Sequence, residues 1–151
     1  MPETETPVIE KWVSRLAQVV GEPDADTYFI GHSMGCQAIL RYLETLNQPV
    51  GGTIFVAGWS NLENLEDEET KLVAKPWIET PVNVTKVKQV LSRSTLFISD
   101  NDPYGAFEEN KNKFAKLGSK IVVIPGAGHF TTDDGYIKFP ELLQEVEKLT
   151  V

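Results

Sequence analysis

The chain has 151 residues, of which 41% are hydrophobic and 24% are charged, and its formal net charge at pH 7 is −8. This length and balance predict a soluble folded domain with a sizeable core, not a disordered chain. The acidic charge argues against nucleic acid and anionic membrane surfaces as partners, because both carry negative charge and would repel the chain.

Apolar positions at helical spacing alternate with short apolar runs along the chain. Residues 8–20 predict a first helix, with Thr6 as its N-cap, Pro7 in its first turn and Gly21 at its end. Residues 27–30 predict a buried strand that leads directly into a second helix. The remaining predicted elements are the end of that helix near residue 47, a strand at 53–57, a helix at 84–91, a strand at 95–99, a helix at 106–117, a strand at 120–124 and a last helix from Pro140.

This order of elements predicts an α/β fold. The predicted strands are apolar throughout instead of alternating, which is typical of a parallel sheet covered by helices on both faces. We therefore expect residues 1–151 to form a single domain, a three-layer sandwich in which helices flank a mainly parallel sheet of about four strands.

Residues 59–85 interrupt the alternation. This stretch is acidic, contains Pro76 and Pro81, and carries apolar side chains only at intervals. A long insertion between parallel strands at this position is typical of a cap or lid over a site. A solvated surface excursion fits the same composition equally well, so both interpretations stay open.

A serine lies where the first predicted strand turns into a helix, in the sequence Gly31-His32-Ser33-Met34-Gly35. This G-x-S-x-G pattern predicts a nucleophile elbow, in which the two glycines allow close backbone approach and the serine hydroxyl is exposed. The N-terminus of the following helix would stabilise an oxyanion through its backbone N–H groups. The same pattern also fits a turn whose serine only caps the helix.

Two further residues complete a candidate catalytic triad with Ser33. Active sites of open parallel sheets form beyond the carboxyl ends of the strands, and Asp102 and His129 follow the third and fourth predicted strands. The chain order Ser…Asp…His is that of an α/β-hydrolase triad. His129 would take the proton from Ser33 and return it to the leaving group, while Asp102 would hold the imidazole tautomer.

Other polar residues near these positions leave alternatives open. Asp100 competes with Asp102, since either side chain can cap the turn that follows its strand. His129 itself also fits a turn histidine that is satisfied by backbone groups. Three further polar residues are interpreted as structural: His32, Asp133 and Asp134.

Several segments together resemble the retinoblastoma-binding protein 9 family of small serine hydrolases, which belongs to the α/β-hydrolase superfamily. They are Gly31-His32-Ser33-Met34-Gly35-Cys36, Ser99-Asp100-Asn101-Asp102-Pro103-Tyr104 and Gly126-Ala127-Gly128-His129-Phe130, with further likeness at Thr6-Pro7, Trp12 and Lys75-Pro76-Trp77. The resemblance covers essentially the whole chain. It implies an α/β-hydrolase-like fold with Ser33 as nucleophile, Asp102 as the orienting carboxylate and His129 as base.

The resemblance also implies a segment that this sequence does not have before Met1. Members of that family begin earlier, with a strand, a His-Gly loop, a helix and a second strand, and the loop supplies one of two oxyanion donors. The other donor is the N–H after the nucleophile, here that of Met34. We therefore expect catalysis to be weakened about a hundred- to a thousand-fold, the usual effect of losing one donor.

The main hypothesis is a serine hydrolase that cleaves small acyl esters or amides through an acyl-enzyme. Trp59, Trp77 and Tyr104 are candidates for the substrate pocket, although core packing explains each of them equally well. The sequence shows no metal-ligand cluster and no phosphate-binding glycine loop, so we expect no cofactor and no metal. The alternatives are a weakly active or inactive hydrolase-fold protein that acts by binding another protein, and an incomplete fragment.

The single cysteine indicates the redox compartment in which the protein is expected to function. Cys36 cannot form an internal disulfide, which fits a reducing compartment, and its position on the apolar side of a helix predicts a small core residue. The sequence contains neither a signal peptide pattern nor an apolar run of transmembrane length. We therefore expect a cytoplasmic protein with no membrane partner.

The expected loss of neighbouring strands generates one prediction about assembly. The strand at 27–30 would lie at the edge of the sheet, and an apolar edge with unpaired backbone groups invites pairing with another chain. We expect a homodimer or strand-swapped assembly through this strand, or a separate chain that supplies the lost segment, measurable by size-exclusion chromatography. A well-folded monomer at high protein concentration would contradict the prediction.

Overall fold

Six helices and four strands lie along residues 1–150, the part of the chain that the computed structural model describes, and they alternate except where two helices follow β2. They are α1 (Ile9–Val20), β1 (Tyr28–His32), α2 (Met34–Leu43), β2 (Gly52–Val56), α3 (Glu68–Glu79), α4 (Val84–Val90), β3 (Ser94–Ile98), α5 (Phe107–Leu117), β4 (Lys120–Val123) and α6 (Pro140–Leu149). The predicted α/β fold is confirmed.

The four strands form one fully parallel sheet in the order β1-β2-β3-β4. Every residue of the two central strands, β2 and β3, is buried, which explains why both read as continuous apolar runs. β1 and β4 form the edges of the sheet that residues 1–150 make. The carboxyl ends of all four strands therefore lie at the same edge, and assembly through β1 stays a prediction.

Helices cover both faces of the sheet. Phe55 and Leu96 face a core formed with α2, α4 and α5, while Ile54 and Phe97 face a core formed with α6. Neighbouring residues of one strand thus enter different cores, as the two-residue period of a strand requires. The predicted three-layer arrangement is confirmed.

The start of α1 differs from the prediction. The helix begins at Ile9 after Val8, and no side chain caps it. The predicted N-cap at Thr6 and the predicted proline in the first turn are wrong. The Thr6 N–H instead donates to the Glu3 carbonyl in a preceding turn, and the Pro7 carbonyl accepts a hydrogen bond from the Trp77 indole.

A helix that the sequence analysis did not predict, α3, lies within residues 59–85. Its N-terminus is capped by Asp67, whose Oδ1 accepts a hydrogen bond from the Thr70 N–H at 2.7 Å. Pro76 lies near its C-terminal end and disguised the helical pattern, since proline is disfavoured inside helices. Ala74 and Trp77 are the buried residues of this helix.

No helix among residues 1–150 is long and apolar enough to cross a membrane.

A buried carboxylate ties α6 to the sheet. Glu145 is 6% exposed, and its Oε1 accepts hydrogen bonds from Thr95 of β3 and Lys120 of β4, both at 2.9 Å. Burial by itself raises the pKa of this carboxyl, but the hydrogen bonds from Lys120 and Thr95 outweigh it and hold the pKa below its usual range. The ionised carboxylate therefore stabilises the folded state.

Replacing Glu145 should test this link. We expect Glu145→Gln to lower the free energy of unfolding by about 1–3 kcal/mol at pH 7, because the buried carboxylate loses its charged hydrogen bond with the exposed Lys120 ammonium. Since the folded pKa lies below the unfolded value of 4.5, the stabilisation is present above that pH and is lost as pH falls through the folded pKa. Urea unfolding at successive pH values should show the difference from wild type shrinking in acid.

Glu147→Gln is the matched control, since Glu147 is exposed on the same helix. We expect that variant to change the free energy of unfolding by less than about 0.5 kcal/mol. An equal loss in the two variants would contradict the role assigned to Glu145.

Candidate active site

The junction between β1 and α2 is a strained turn centred on Ser33. Ser33 has φ 50° and ψ −117°, a conformation that a residue with a side chain rarely adopts. Its N–H donates to the Val56 carbonyl of β2 at 2.9 Å, and its carbonyl accepts from the Cys36 N–H at 2.9 Å. These bonds hold the strained backbone in place and have the form of the predicted elbow.

The two glycines of the elbow differ in what requires them. A Cβ on Gly31 would lie 2.7 Å from Ile39 Cδ1 and 3.0 Å from the Cys36 nitrogen, so helix and strand approach too closely for any side chain. A Cβ on Gly35 would meet nothing within 4 Å. The expectation that close approach requires both glycines therefore holds for Gly31 and is wrong for Gly35.

The thiol beside the elbow is not a competing nucleophile. Cys36 is completely buried, and its Sγ lies 3.2 Å from the Gly31 carbonyl and 3.4 Å from the Val56 carbonyl. Burial raises the pKa of the thiol to about 12, so it stays protonated at neutral pH. The prediction that Cys36 is a small core residue is confirmed.

Asp102 and His129 meet at the carboxyl edge of the sheet. Asp102 Oδ2 lies 2.7 Å from His129 Nδ1, and both side chains are almost buried. Because an ionised carboxylate only accepts hydrogen bonds, Nδ1 carries the proton and His129 Nε2 keeps a free lone pair. The competing carboxylate of Asp100 is directed elsewhere, and accepts a hydrogen bond from the Gly126 N–H at 2.9 Å.

The backbone of His129 is fixed on both sides. Its N–H donates to Asp134 Oδ2 at 3.0 Å, and its carbonyl accepts from His32 Nε2 at 2.7 Å, which requires the Nε2–H tautomer of His32. Asp134 also accepts hydrogen bonds from Thr131, and this set of bonds lowers the pKa of the Asp134 carboxyl. His32 and Asp134 therefore act structurally, as their positions predict.

Further polar residues that the sequence analysis did not assign hold the loop before His129. Ser99 Oγ accepts from the Ala127 N–H at 2.9 Å, and Asn101 Oδ1 accepts from the Gly128 N–H at 2.7 Å. With Asp100, three successive side chains after β3 thus bind three successive backbone N–H groups. The run of short polar side chains was the available signal, since such residues commonly bond to backbone groups in turns.

Ser33, Met34 and His129 line one cavity of about 170 Å³. Its other walls are mostly apolar: Trp59, Leu62, Leu65, Thr70, Val73, Ala74 and Tyr104. Trp59 and Tyr104 thus lie where the sequence analysis expects pocket residues, whereas Trp77 lines a different cavity and packs against Trp12. Within residues 1–150 no hydrogen bond joins Ser33 to His129, a contact that often tightens only when substrate binds.

The cavity also receives the N-terminus of α2. Met34 is the first residue of this helix, so its backbone N–H has no acceptor within the helix. Among residues 1–150, no group of three or more His, Cys, Asp or Glu side chains could hold a metal ion. Together, Ser33, His129 and Met34 supply a hydroxyl, a base with a free lone pair and an N–H donor, respectively, around one mostly apolar cavity.

A family model matches nearly the whole chain. The model of the serine hydrolase family matches residues 1–148. The chain belongs to this family. The predicted relationship to small serine hydrolases is thereby confirmed.

Individual relatives agree with this assignment. YdeN of Bacillus subtilis is 25% identical over 142 residues, which cover 93% of this chain and 72% of YdeN. The serine hydrolase RBBP9 of Rattus norvegicus is 29% identical over 126 residues, which cover 83% of this chain and 62% of RBBP9. This chain therefore spans about two thirds of the length of these relatives.

Solved structures show the same fold. The crystal structure of the B. subtilis ydeN gene product superimposes with a TM-score of 0.87 at 24% identity, covering 99% of this chain and 78% of the other. A carboxylesterase from the thaumarchaeon Nitrososphaera gargenis gives a TM-score of 0.69 at 13% identity, covering 99% of this chain and 75% of the other. At these identities the likeness establishes the α/β-hydrolase fold.

The loop that carries His129 generates a prediction. Gly126 and Gly128 both have positive φ, but a Cβ on Gly128 would overlap the Asp134 carboxylate, while a Cβ on Gly126 would meet nothing within 4 Å. Gly126→Ala should cost about 1–2 kcal/mol from backbone strain alone. Gly128→Ala should cost about 1–3 kcal/mol more, because Asp134 must move away.

The free energies of unfolding of both variants in urea measure this difference. Equal losses would mean that Asp134 does not crowd Gly128, and the assigned loop structure would then be wrong.

Proposed function

We propose that the chain is a serine hydrolase that cleaves small acyl esters or amides, with Ser33, His129 and Asp102 as its catalytic triad. One observation carries the proposal. Asp102 Oδ2 lies 2.7 Å from His129 Nδ1 and keeps the proton on that nitrogen. The Nε2 lone pair of His129 is then free, and this side chain lines the same cavity as Ser33. A base and a half-buried serine hydroxyl in one cavity are the groups that acyl transfer requires.

The reaction would proceed in two halves. His129 Nε2 takes the Ser33 proton as the hydroxyl oxygen attacks the carbonyl carbon, and then gives that proton to the departing alcohol or amine. Water attacks the resulting acyl-enzyme with His129 again acting as base, which releases the acid and restores the serine. Asp102 stays ionised and stabilises the imidazolium in both halves.

The negative oxygen of each tetrahedral intermediate would face the N-terminus of α2. The Met34 N–H and the positive end of the helix dipole favour charge at that position. Met34 is the oxyanion donor that we assign in this chain, and one such donor typically contributes about 10²- to 10³-fold to kcat.

The walls of the cavity support a small acyl group as the substrate moiety. Leu62, Leu65 and Val73 present apolar side chains beside Ser33, so burial of a short hydrocarbon chain would be favourable. All three of these side chains belong to residues 59–85, which supports the interpretation of that stretch as a cap over the site. The shared fold with a thaumarchaeal carboxylesterase is consistent with ester substrates.

One observation favours a second candidate, an inactive hydrolase-fold protein that binds a protein partner. β1 lies at an edge of the sheet that residues 1–150 form, and Ile30 on that strand is 54% exposed. An apolar edge strand can pair with a strand from another chain. The homodimer or strand-swapped assembly expected from the sequence would use the same surface.

Covalent labelling tests the proposed function. A fluorophosphonate should add one phosphonyl group to the wild-type chain at Ser33, because the activated hydroxyl attacks phosphorus as it would attack a carbonyl carbon. Ser33→Ala should remove the adduct, and Asp102→Asn should slow labelling at least a hundredfold by favouring the wrong tautomer of His129. Intact-mass and peptide mass spectrometry measure the rate and the site.

Ser14→Ala is the matched control, since Ser14 is an exposed serine on α1 and should leave labelling unchanged. Absence of an adduct on folded wild-type protein would contradict the hydrolase and favour the binding protein. A pull-down partner that Ser33→Ala still retains would then support that second candidate.

A further inference from the structure

The imidazole of His129 packs against two aromatic rings. The centroid of the Tyr104 ring lies 4.7 Å from that of the His129 ring, with an angle of 77° between the two planes. The centroid of the His32 ring lies 5.0 Å away, at 61°. His32 also donates through Nε2 to the His129 carbonyl, so a second contact fixes its position. Tyr104 therefore contacts the side chain of the proposed base directly.

The backbone of Tyr104 binds the other member of the Asp–His pair. Its N–H donates to Asp102 Oδ1 at 3.0 Å, while Asp102 Oδ2 lies 2.7 Å from His129 Nδ1. Both carboxylate oxygens are thus bonded, which fixes the plane of the carboxylate. One residue contacts the carboxylate through its main chain and the imidazole through its ring.

The hydrogen bond to Asp102 does not by itself fix the orientation of the imidazole. It sets the distance between the ring and the carboxylate, but the χ2 torsion of a histidine has a broad distribution. Packing against neighbouring groups must therefore select one orientation. Asp102, Tyr104 and His129 border a space of only about 10 Å³, which holds at most about one water molecule. The imidazole has no room there to turn over.

Two residues of the stretch 59–85, Glu63 and Asn64, hold the loop that carries Tyr104. The Glu63 N–H donates to the Tyr104 carbonyl at 2.6 Å. The side-chain Nδ2 of Asn64 donates to the Pro103 carbonyl at 3.3 Å. The position of the Tyr104 ring is therefore set by bonds to a segment that also lines the candidate active site.

These two segments approach each other closely enough to require a glycine. A Cβ on Gly105 would lie 2.9 Å from Glu63 Cβ and 3.0 Å from Asn64 Nδ2. Gly105 and Ala106 have positive φ angles of 67° and 56°, and such an angle is uncommon for alanine. The Ala106 N–H donates to Glu63 Oε2 at 3.2 Å, which helps to hold this backbone. Strained backbone of this kind is typical of segments that keep a functional site in place.

We propose that Tyr104 is a positioning residue for His129, an inference that rests on the proposed hydrolase function. Its ring keeps the imidazole turned so that Nδ1 bonds to Asp102 and Nε2 stays free to take the proton of Ser33. A side chain without a ring leaves space in which the imidazole turns and water reaches Nδ1. The proton is then distributed over both nitrogens, because the tautomer of a histidine is set by the hydrogen bonds that its ring makes.

The tautomer of His129 tests this role without any substrate. Long-range ¹H–¹⁵N spectra distinguish the Nδ1–H from the Nε2–H imidazole at a pH above the histidine titration. The chain has two histidines, so a His129→Gln sample identifies the signals of His32. We expect wild type and Tyr104→Phe to show only the Nδ1–H tautomer of His129, and Tyr104→Ala to show both tautomers.

The rate of fluorophosphonate labelling at Ser33 measures the consequence for the reaction. We expect Tyr104→Ala to lower this rate about ten- to a hundredfold, because a misplaced base loses much of its effect. Tyr104→Phe should label at the wild-type rate, since it keeps the ring. Tyr28→Ala is the matched control. Tyr28 begins β1, at the opposite end of the sheet from the candidate site, so this truncation should change neither the tautomer nor the rate.

Three results would overturn the proposal. An unchanged tautomer in Tyr104→Ala would do so even with slower labelling, because Tyr104 would then act on the reagent and not on His129. Both tautomers in Tyr104→Phe would assign the effect to the hydroxyl instead of the ring. Both tautomers in wild type would mean that the ring does not fix the imidazole.

Failure of the proposed hydrolase function would give a different result. Wild-type protein that takes no label, but whose single His129 tautomer is lost in Tyr104→Ala, would contradict hydrolysis by Ser33 and still support Tyr104 as the residue that orients His129. If Tyr104→Ala does not fold, Tyr104→Leu replaces it with the same expected results. An aliphatic side chain fills the space but offers no flat ring.

Discussion

The hydrogen bond between Asp102 and His129 is the contact on which the candidate site depends, and much of the neighbouring structure holds its two ends together. The two residues follow β3 and β4, which pair in parallel, so their loops leave the same edge of the sheet. Side chains from residues 99–101 then bind the backbone of the loop that precedes His129. Asp134 and His32 fix the His129 peptide itself. The short contact between Asp102 and His129 is thus maintained by several hydrogen bonds between backbone groups and polar side chains.

The helix α2 contributes residues to two separate cavities. Its first residue, Met34, brings an unpaired N–H to the cavity that contains Ser33. One and two turns later, Gln37 and Arg41 lie in the wall of a separate cavity, and Trp59 lines both cavities. The tight junction at Gly31 fixes where this helix starts, and therefore fixes both positions.

Much of the fold was predictable because local patterns and tertiary packing agree. The strands of residues 53–57 and 95–99 are apolar throughout since both are buried on two faces. Prediction failed where a local signal was ambiguous. Pro76 concealed α3, and the Thr6-Pro7 pair looked like a helix start although Pro7 instead accepts a bond from Trp77. The pattern predicted that close backbone approach requires both glycines of the elbow, but of the two only Gly31 lacks room for a Cβ.

The sequence by itself determined the order of elements, the elbow pattern around Ser33 and the register of Asp102 and His129 at one sheet edge, because each follows from short-range spacing. Only the tertiary structure decided which aspartate binds the histidine. Asp100 and Asp102 are two residues apart, but the Asp100 carboxylate binds the Gly126 N–H whereas the Asp102 carboxylate binds His129 Nδ1. The tertiary structure also placed Trp59 in the cavity that Ser33 lines and left Trp77 outside it. Such features depend on contacts between residues far apart in the chain, and local sequence patterns do not predict those contacts.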